Sequence, residues 1–268
     1  MKLTVLVDNN TYIDRYYFGE PALCCYLEDG EKKILLDTGY SGVFLENAEK
    51  LGIDLSKVTD IVLSHGHNDH TGGLRAFFKA FPESRVRVTA HPAIFAPKRD
   101  DTGLSIGSPI SAKEAAEQAE LILTAESVQI SEHVTFLGTI ERVTDFEKKT
   151  VGFRLTEDGW LEDSLPEDTA LSLQIPEGQF LLLGCSHSGV CNIAEKAQRL
   201  FPERKITGLL GGMHLFDVDE RTEKTREYLE HLQMGNIWPC HCTSFAVRAF
   251  LSRTLSVKEV GVGLSMEW

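Results

Sequence analysis

Within six consecutive residues the chain places four side chains able to bind a metal: His65, His67, Asp69 and His70. No other feature restricts the possible folds as much. The preceding Asp60-Ile61-Val62-Leu63 is a short apolar run that reads as a buried strand. Gly72-Gly73 then lead into Leu74–Phe81, whose apolar residues have helical spacing. The donors therefore sit on a strand-to-helix loop, where a rigid scaffold commonly presents function. An exposed polar loop would be a poor use of three of the nine histidines in the chain. Imidazole nitrogens and carboxylate oxygens suit one or two transition metal ions, zinc first, with iron or manganese as alternatives.

Composition narrows the partners. A net charge of −13 opposes a polyanion, and no basic cluster offsets it, which argues against nucleic acid. No apolar run reaches the length of a membrane span, and Met1–Asp8 reads as a strand rather than a signal peptide. The six cysteines are scattered along a mid-sized chain, so reduced thiols in the cytoplasm are expected. These features leave a small-molecule substrate, with the oligomeric state open.

No linker or composition break divides residues 1–268, so a single α/β domain is expected. Residues 2–7 open as a strand, and 9–20 form a polar, aromatic loop of a length that is often functional. Ala22–Glu28 and Lys32–Leu36 pair across Asp29-Gly30 as a hairpin. An amphipathic helix follows over 42–51, and Arg85–Ala90 is a strand. From about 93 to 130 the pattern turns irregular, with one helix over Ser111–Ala119; this region is read as an insertion covering the active-site cleft. Its Lys98 and Arg99 are candidate cations for an anionic substrate, as is Arg142, whose guanidinium suits bidentate recognition. Val134–Leu137 and Val151–Leu155 are strand-like, and 170–175 and 180–183 form a second hairpin. A strand-turn-helix unit then recurs three times, carrying His187, His214 and His241 at its turns, before a closing strand at 257–262. The carboxyl ends of parallel strands lie along one sheet edge, so these three histidines can converge on the first loop.

His-x-His-x-Asp-His before a glycine-rich helix start resembles the signature loop of the metallo-β-lactamase superfamily. Gly184-Cys185-Ser186-His187-Ser188-Gly189, Gly211-Gly212-Met213-His214-Leu215 and Pro239-Cys240-His241-Cys242-Thr243 are similar to a narrower group in it. That group is the metal-dependent hydrolases known as dihydropterin–ribofuranosylaminobenzene 5′-phosphate synthases. The resemblance implies an αββα four-layer sandwich of two mixed β-sheets with helices outside. It implies metal ligands at His65, His67, Asp69, His70, His187 and His241, and a metal-activated hydroxide as nucleophile. The substrate it implies is a small phosphorylated anion, in a hydrolase or a pterin-precursor synthase-like reaction. Asp69 is then a candidate proton shuttle, and His214 a catalytic or substrate-contacting residue. Leu36-Asp37-Thr38-Gly39 resembles the superfamily's first motif, in which the Asp orients the metal loop; locally, a turn-forming Asp fits as well.

The usual bridging carboxylate is missing at Gly184-Cys185-Ser186-His187. Asp168 or His214 could stand in for it, and Asp168 is otherwise a supporting residue. Cys185, Cys240 and Cys242 are soft donors by type. Thiols flanking a strand end cannot all face one cleft, so they are read as buried structural thiols, Cys185 in a supporting position. A non-catalytic metal-binding or sensor protein and a nuclease of the superfamily are the alternatives. The first should have lost ligands, and the second needs a basic face. A flavin-partnered di-iron oxygen reductase carries Glu where His67 stands.

Overall fold

Side-chain alternation along the strands builds the layers, because successive residues leave a strand on opposite faces. The computed structural model describes residues 1–268. Its first half runs β1 (Lys2–Val7), β2 (Cys24–Asp29), β3 (Lys32–Leu36), α1 (Val43–Lys50), β4 (Asp60–Val62), α2 (Asn68–Thr71), α3 (Leu74–Ala80), β5 (Arg87–Ala90), β6 (Lys98–Arg99), α4 (Ala112–Ala116) and β7 (Glu120–Leu123). The second half runs β8 (Val128–Gln129), β9 (Val134–Phe136), β10 (Phe153–Thr156), β11 (Gly159–Glu162), β12 (Ala170–Ile175), β13 (Gly178–Leu183), α5 (Val190–Leu200), β14 (Ile206–Gly211), α6 (Glu220–His231), β15 (Asn236–Pro239), α7 (Phe245–Leu251), β16 (Ser256–Val257) and β17 (Ser265–Glu267).

In β2, Cys24 and Tyr26 join a core with Phe44 of α1 and Phe77 of α3, while Cys25 and Leu27 face the other way. The second direction is a middle core shared with Phe136, Leu171 and Leu182 of the opposite sheet. In β13, Phe180 and Leu182 enter that middle core, and Leu181 and Leu183 pack with Ile193 of α5, Leu229 of α6 and Val247 of α7. Three cores therefore separate four layers, helix–sheet–sheet–helix. Both faces of the central strands are covered, so β1, β2, β12 and β13 are buried almost throughout.

The two sheets share one plan. One has the order β17-β1-β2-β3-β4-β5-β7, and the other β16-β15-β14-β13-β12-β9-β8. In each, an antiparallel hairpin (β2–β3, β12–β13) is extended by three parallel strands reached through helices. No helix is long and apolar enough to cross a membrane.

Two expectations need correction. The closing strand is β17, paired with β1, rather than 257–262, where Gly261 and Gly263 break the run. The expected insertion over 93–130 is also too long. α4 and β7 complete a parallel unit on β5, so they belong to the first sheet, as the register Val88↔Leu121 records. What projects over the sheets is the stretch ahead of α4, tied to a hairpin not expected in full: β6 pairs with β10, and β10 with β11, as a small third sheet.

Candidate metal centre

The candidate donors lie on the loops and turns that follow strand carboxyl ends, or in the short α2 helix, and several of those turns have unusual backbone conformations. Asp37 after β3, Ser186 after β13, His214 after β14 and His241 after β15 have φ of 59°, 58°, 47° and 51°. Left-handed backbone is uncommon outside glycine, costs about 1–3 kcal/mol, and concentrates at functional sites.

Asp37 organises the first loop. Buried completely, it accepts from the Ser64 amide (2.7 Å), the Ser64 hydroxyl (2.7 Å) and His70 Nδ1 (2.6 Å). These bonds dictate the proton positions. The His70 ring gives its Nδ1 proton to Asp37, so its Nε2 carries a lone pair. The Ser64 hydroxyl proton is likewise spent on Asp37, so Ser64 Oγ accepts from His65 Nδ1 at 3.0 Å. That leaves His65 Nε2 bare, and it has no hydrogen-bond partner. His241 is held from behind in the same way. Its amide donates to Asp8 Oδ1 (3.0 Å), and its Nδ1 donates to Asn9 Oδ1 (3.0 Å). Its Nε2 lone pair then faces His70 Nε2 at 3.2 Å and Asp69 Oδ2 at 3.3 Å.

Three lone pairs converge there with no proton assigned between them, an arrangement that a cation stabilises. Titration behaviour points the same way. Burial opposes charging His70, but Asp69, Asp37 and Asp168 outweigh it and raise its pKa. Burial alone would raise Asp69, yet His70, His241 and His67 hold it well below the usual carboxylate range. His65 and His187 are pushed far down, by burial first and then by neighbouring imidazoles, so both stay neutral. Burial, partly offset by Asp69, lowers His67 to about 4. Neutral imidazole is the form that ligates metal.

The donors fall into three overlapping groups, the ligand atoms in each lying within 4.8 Å of one another: Asp69, His70, Cys185 and His241; His65, Cys185 and His187; and His65, His67 and Asp69. His67 Nε2 and both nitrogens of His187 are buried without partners. This donor chemistry fits one or two borderline transition metal ions. His67, Asp69, Cys185, His187 and His241 line a cleft of about 500 Å³ whose wall also includes Asn9, Tyr40, Ile106, Val151, His214 and Phe216, with His65 and His70 buried behind them.

Close packing brings the second sheet to this loop. A Cβ on Gly184 would lie 2.1 Å from Ser64 Oγ, so only glycine lets β13 end against the Asp37–Ser64 pair. Past it, Asp168 Oδ2 accepts from the Ser188 amide (2.8 Å) and hydroxyl (2.5 Å) and so fixes the His187 turn. Burial raises Asp168 to about 6 against those hydrogen bonds. Glu147 and Asn192 continue the support. Glu147 accepts from the amides of Cys191 and Asn192 at the start of α5, and Asn192 Oδ1 accepts from Val143 and Thr144.

Comparison with known proteins agrees with this geometry. The sequence profile of the metallo-β-lactamase superfamily matches residues 18–203. The chain belongs to that superfamily. It is 30% identical over 226 residues to the 7,8-dihydropterin-6-methyl-4-(β-D-ribofuranosyl)-aminobenzene-5′-phosphate synthase of Methanocaldococcus jannaschii, a match covering 80% of this chain and 76% of that one. Among solved structures, Tm1679, a metal-dependent hydrolase of the β-lactamase superfamily, superposes with a TM-score of 0.86 at 27% identity, over 100% of this chain and 99% of that one. The metallo-β-lactamase fold protein YhfI of Bacillus subtilis shares the fold at a TM-score of 0.60 and 11% identity, over 99% of each chain.

The structure brings His65, His67, Asp69, His70, His187 and His241 together, with Asp37 behind His70 and Ser64. His214 lines the cleft too, its ring 4.2 Å from that of His187. Burial, Arg221 and Lys149 lower it to about 3, so it is neutral.

The expected cations are corrected. Lys98 is fully buried and paired with Asp163 and Glu167. Arg99 lies 4.4 Å over the Trp160 ring, and the Arg142 guanidinium donates to the backbone carbonyls of Lys149 and Ser164. Lys98 ties β6 to the segment ahead of β12, Arg99 packs within the small third sheet, and Arg142 braces the chain on either side of the β10–β11 hairpin. Cys185 is corrected as well: its Sγ is in the cleft, 3.1 Å from His70 Nε2, and Cys242 lines the same wall, whereas Cys240 sits in the middle core. The cations near the cleft are Arg221, which donates to the His214 carbonyl, and Lys149, beside Phe216. The sequence signal for Arg221 was its place in the first turn of α6, just after the His214 turn.

Proposed function

We propose that this protein is a metal-dependent hydrolase acting on a small phosphorylated metabolite. The observation that carries this reading is the set of buried imidazole nitrogens without hydrogen-bond partners, on His65, His67 and His187, beside the ionised Asp69 and the facing Nε2 atoms of His70 and His241. His65, His67 and His187 would hold one transition metal ion, and Asp69, His70 and His241 a second, with zinc ahead of iron or manganese. A metal bound there supplies a water with a pKa near about 7 and a Lewis acid for developing negative charge. Asp69, exposed enough to reach the cleft and ionised, accepts the proton released in attack. His214, neutral and facing the cleft beside His187, contacts the substrate. Asp37 and Asp168 keep the donor loops in place.

Two relatives support the class of substrate and reaction. One is named for a pterin and a phosphate group, and another is titled a metal-dependent hydrolase. In this chain, Arg221 and Lys149 offer positive charge at the cleft, and Tyr40 and Phe216 offer aromatic faces for a planar ring. The net charge of −13 favours a small anion over nucleic acid, and six free cysteines suit a reducing compartment such as the cytoplasm.

The test is a panel of phosphate esters and their dephosphorylated counterparts, assayed with the parent protein, Arg221→Ala and Lys149→Ala. A charge-assisted hydrogen bond from such a group contributes about 1.5–3 kcal/mol, so each loss should weaken the phosphorylated substrate roughly ten- to a hundredfold. The dephosphorylated compounds should be unaffected. Equal effects on both members of each pair would remove the phosphate from the proposal, and no metal-dependent hydrolysis of any member would remove the reaction.

A further inference from the structure

We propose that the Cys185 thiolate bridges two metal ions in this cleft, an inference that rests on the metal-site reading above. The group containing His187 (His65, Cys185, His187) and the group containing His241 (Asp69, His70, Cys185, His241) have a single member in common, and it is Cys185. One sulfur atom thus lies within 4.8 Å of donors belonging to both halves of the cleft. Asp69 is also shared, between the His241 group and the group of His65 and His67, but it does not reach the group that holds His187. The histidines cannot take this role. His65, His70 and His241 each have Nδ1 engaged by Ser64, Asp37 and Asn9, so each offers one lone pair to one ion. His187 offers nitrogens that are buried and unpartnered, but it appears in one group alone. Asp168 is turned to the Ser188 turn and belongs to none of the groups.

Sulfur, by contrast, has lone pairs enough for two ions. Cys185 Sγ lies 3.1 Å from His70 Nε2, at the convergence of donors, and its thiol is also within hydrogen-bond reach of the Cys242 thiol. On metal binding the S–H bond breaks, the proton leaves to solvent, and the electron pair stays on sulfur as the ligand. A thiolate among imidazoles selects zinc or iron over magnesium or manganese. Ser186, at φ 58°, turns the chain between Cys185 and His187, and both line the cleft.

Cobalt(II) titration of the chelator-treated full chain under anaerobic conditions tests this. Thiolate ligation gives a sulfur-to-cobalt charge-transfer band in the near ultraviolet. The bridge predicts a band that keeps growing through both equivalents. Cys185→Ala should abolish it and weaken both equivalents at least tenfold, while Cys242→Ser should keep it. Circular dichroism of the same variants checks that they are folded, and Cys185→Ser repeats the test with a smaller change. A band complete after the first equivalent, one surviving in Cys185→Ala, or one lost only in Cys242→Ser overturns the bridge. Cobalt binding without any sulfur band overturns the bridge and leaves the metal site standing, with Asp69 as the shared ligand. No cobalt binding by the parent protein defeats both.

Discussion

Replacing Lys98 by methionine should destabilise the protein by about 3–5 kcal/mol, the cost of leaving a buried charge uncompensated. The Lys98 side chain has no solvent exposure, and neither have its partners Asp163 and Glu167. Arg154 reaches Asp163 at 3.5 Å, but Glu167 has no other cation. The expected loss follows from location rather than from the ion pair as such. Lys33 and Glu28 sit 2.8 Å apart at the surface, and Lys33→Met should change stability by about 0–1 kcal/mol. Adding Glu167→Gln to Lys98→Met removes the stranded charge and should recover a good part of the loss. Urea denaturation of the variants measures this. If Lys98→Met is as stable as the parent, the lysine does not fasten the cover to the body of the protein.

The second large effect is expected at Asp37. Alanine there removes the acceptor of three buried hydrogen bonds, two from Ser64 and one from His70. Each stranded donor costs about 1–3 kcal/mol, so Asp37→Ala should lose at least about 3 kcal/mol even in chelator-treated protein. Orientation would be lost as well. Without Asp37, His70 is free to turn and Ser64 no longer fixes the tautomer of His65. Supporting residues of this kind are typically worth about 10–100-fold in metal affinity, and Asp37→Asn, which preserves shape, isolates that part. Chelator competition with the folded Asn variant measures it. Unchanged affinity would reduce Asp37 to a turn-former ahead of Gly39.

Much of this site was legible because its chemistry lies in local motifs on a repeated unit. A histidine at a strand end that is followed by a helix is a pattern along the chain, and parallel pairing turns that pattern into convergence. His187, His214 and His241 meet the first loop for that reason. The cationic residues were not legible, because the fate of a lysine depends on what faces it across the fold. Lys98 is adjacent to Arg99 in sequence, yet β6 pairing with β10 delivers it to Asp163 and Glu167, some 65 and 69 positions away. Cys185 failed differently: the thiols do not all face the cleft, since Cys240 sits in the middle core, but Cys185, read as a buried structural thiol, is one that does, ahead of the left-handed turn at Ser186. The hairpin of β10 and β11 carried a readable signal in Asp158-Gly159, but its strands are short and largely exposed. The boundary of the cover was misjudged because α4 and β7, though preceded by irregular chain, complete the first sheet.

The assignment of His65, His67, Asp69, His70, His187 and His241 to a metal centre is open to elemental analysis of protein purified without oxygen or chelator, comparing the parent with the variant carrying both His65→Ala and His67→Ala. The prediction is one or two transition metal ions per chain in the parent, and loss of the tightly held metal in a variant that remains folded by circular dichroism. Metal content unchanged by the double substitution, or a parent protein that holds none after reconstitution with zinc or iron, would contradict it.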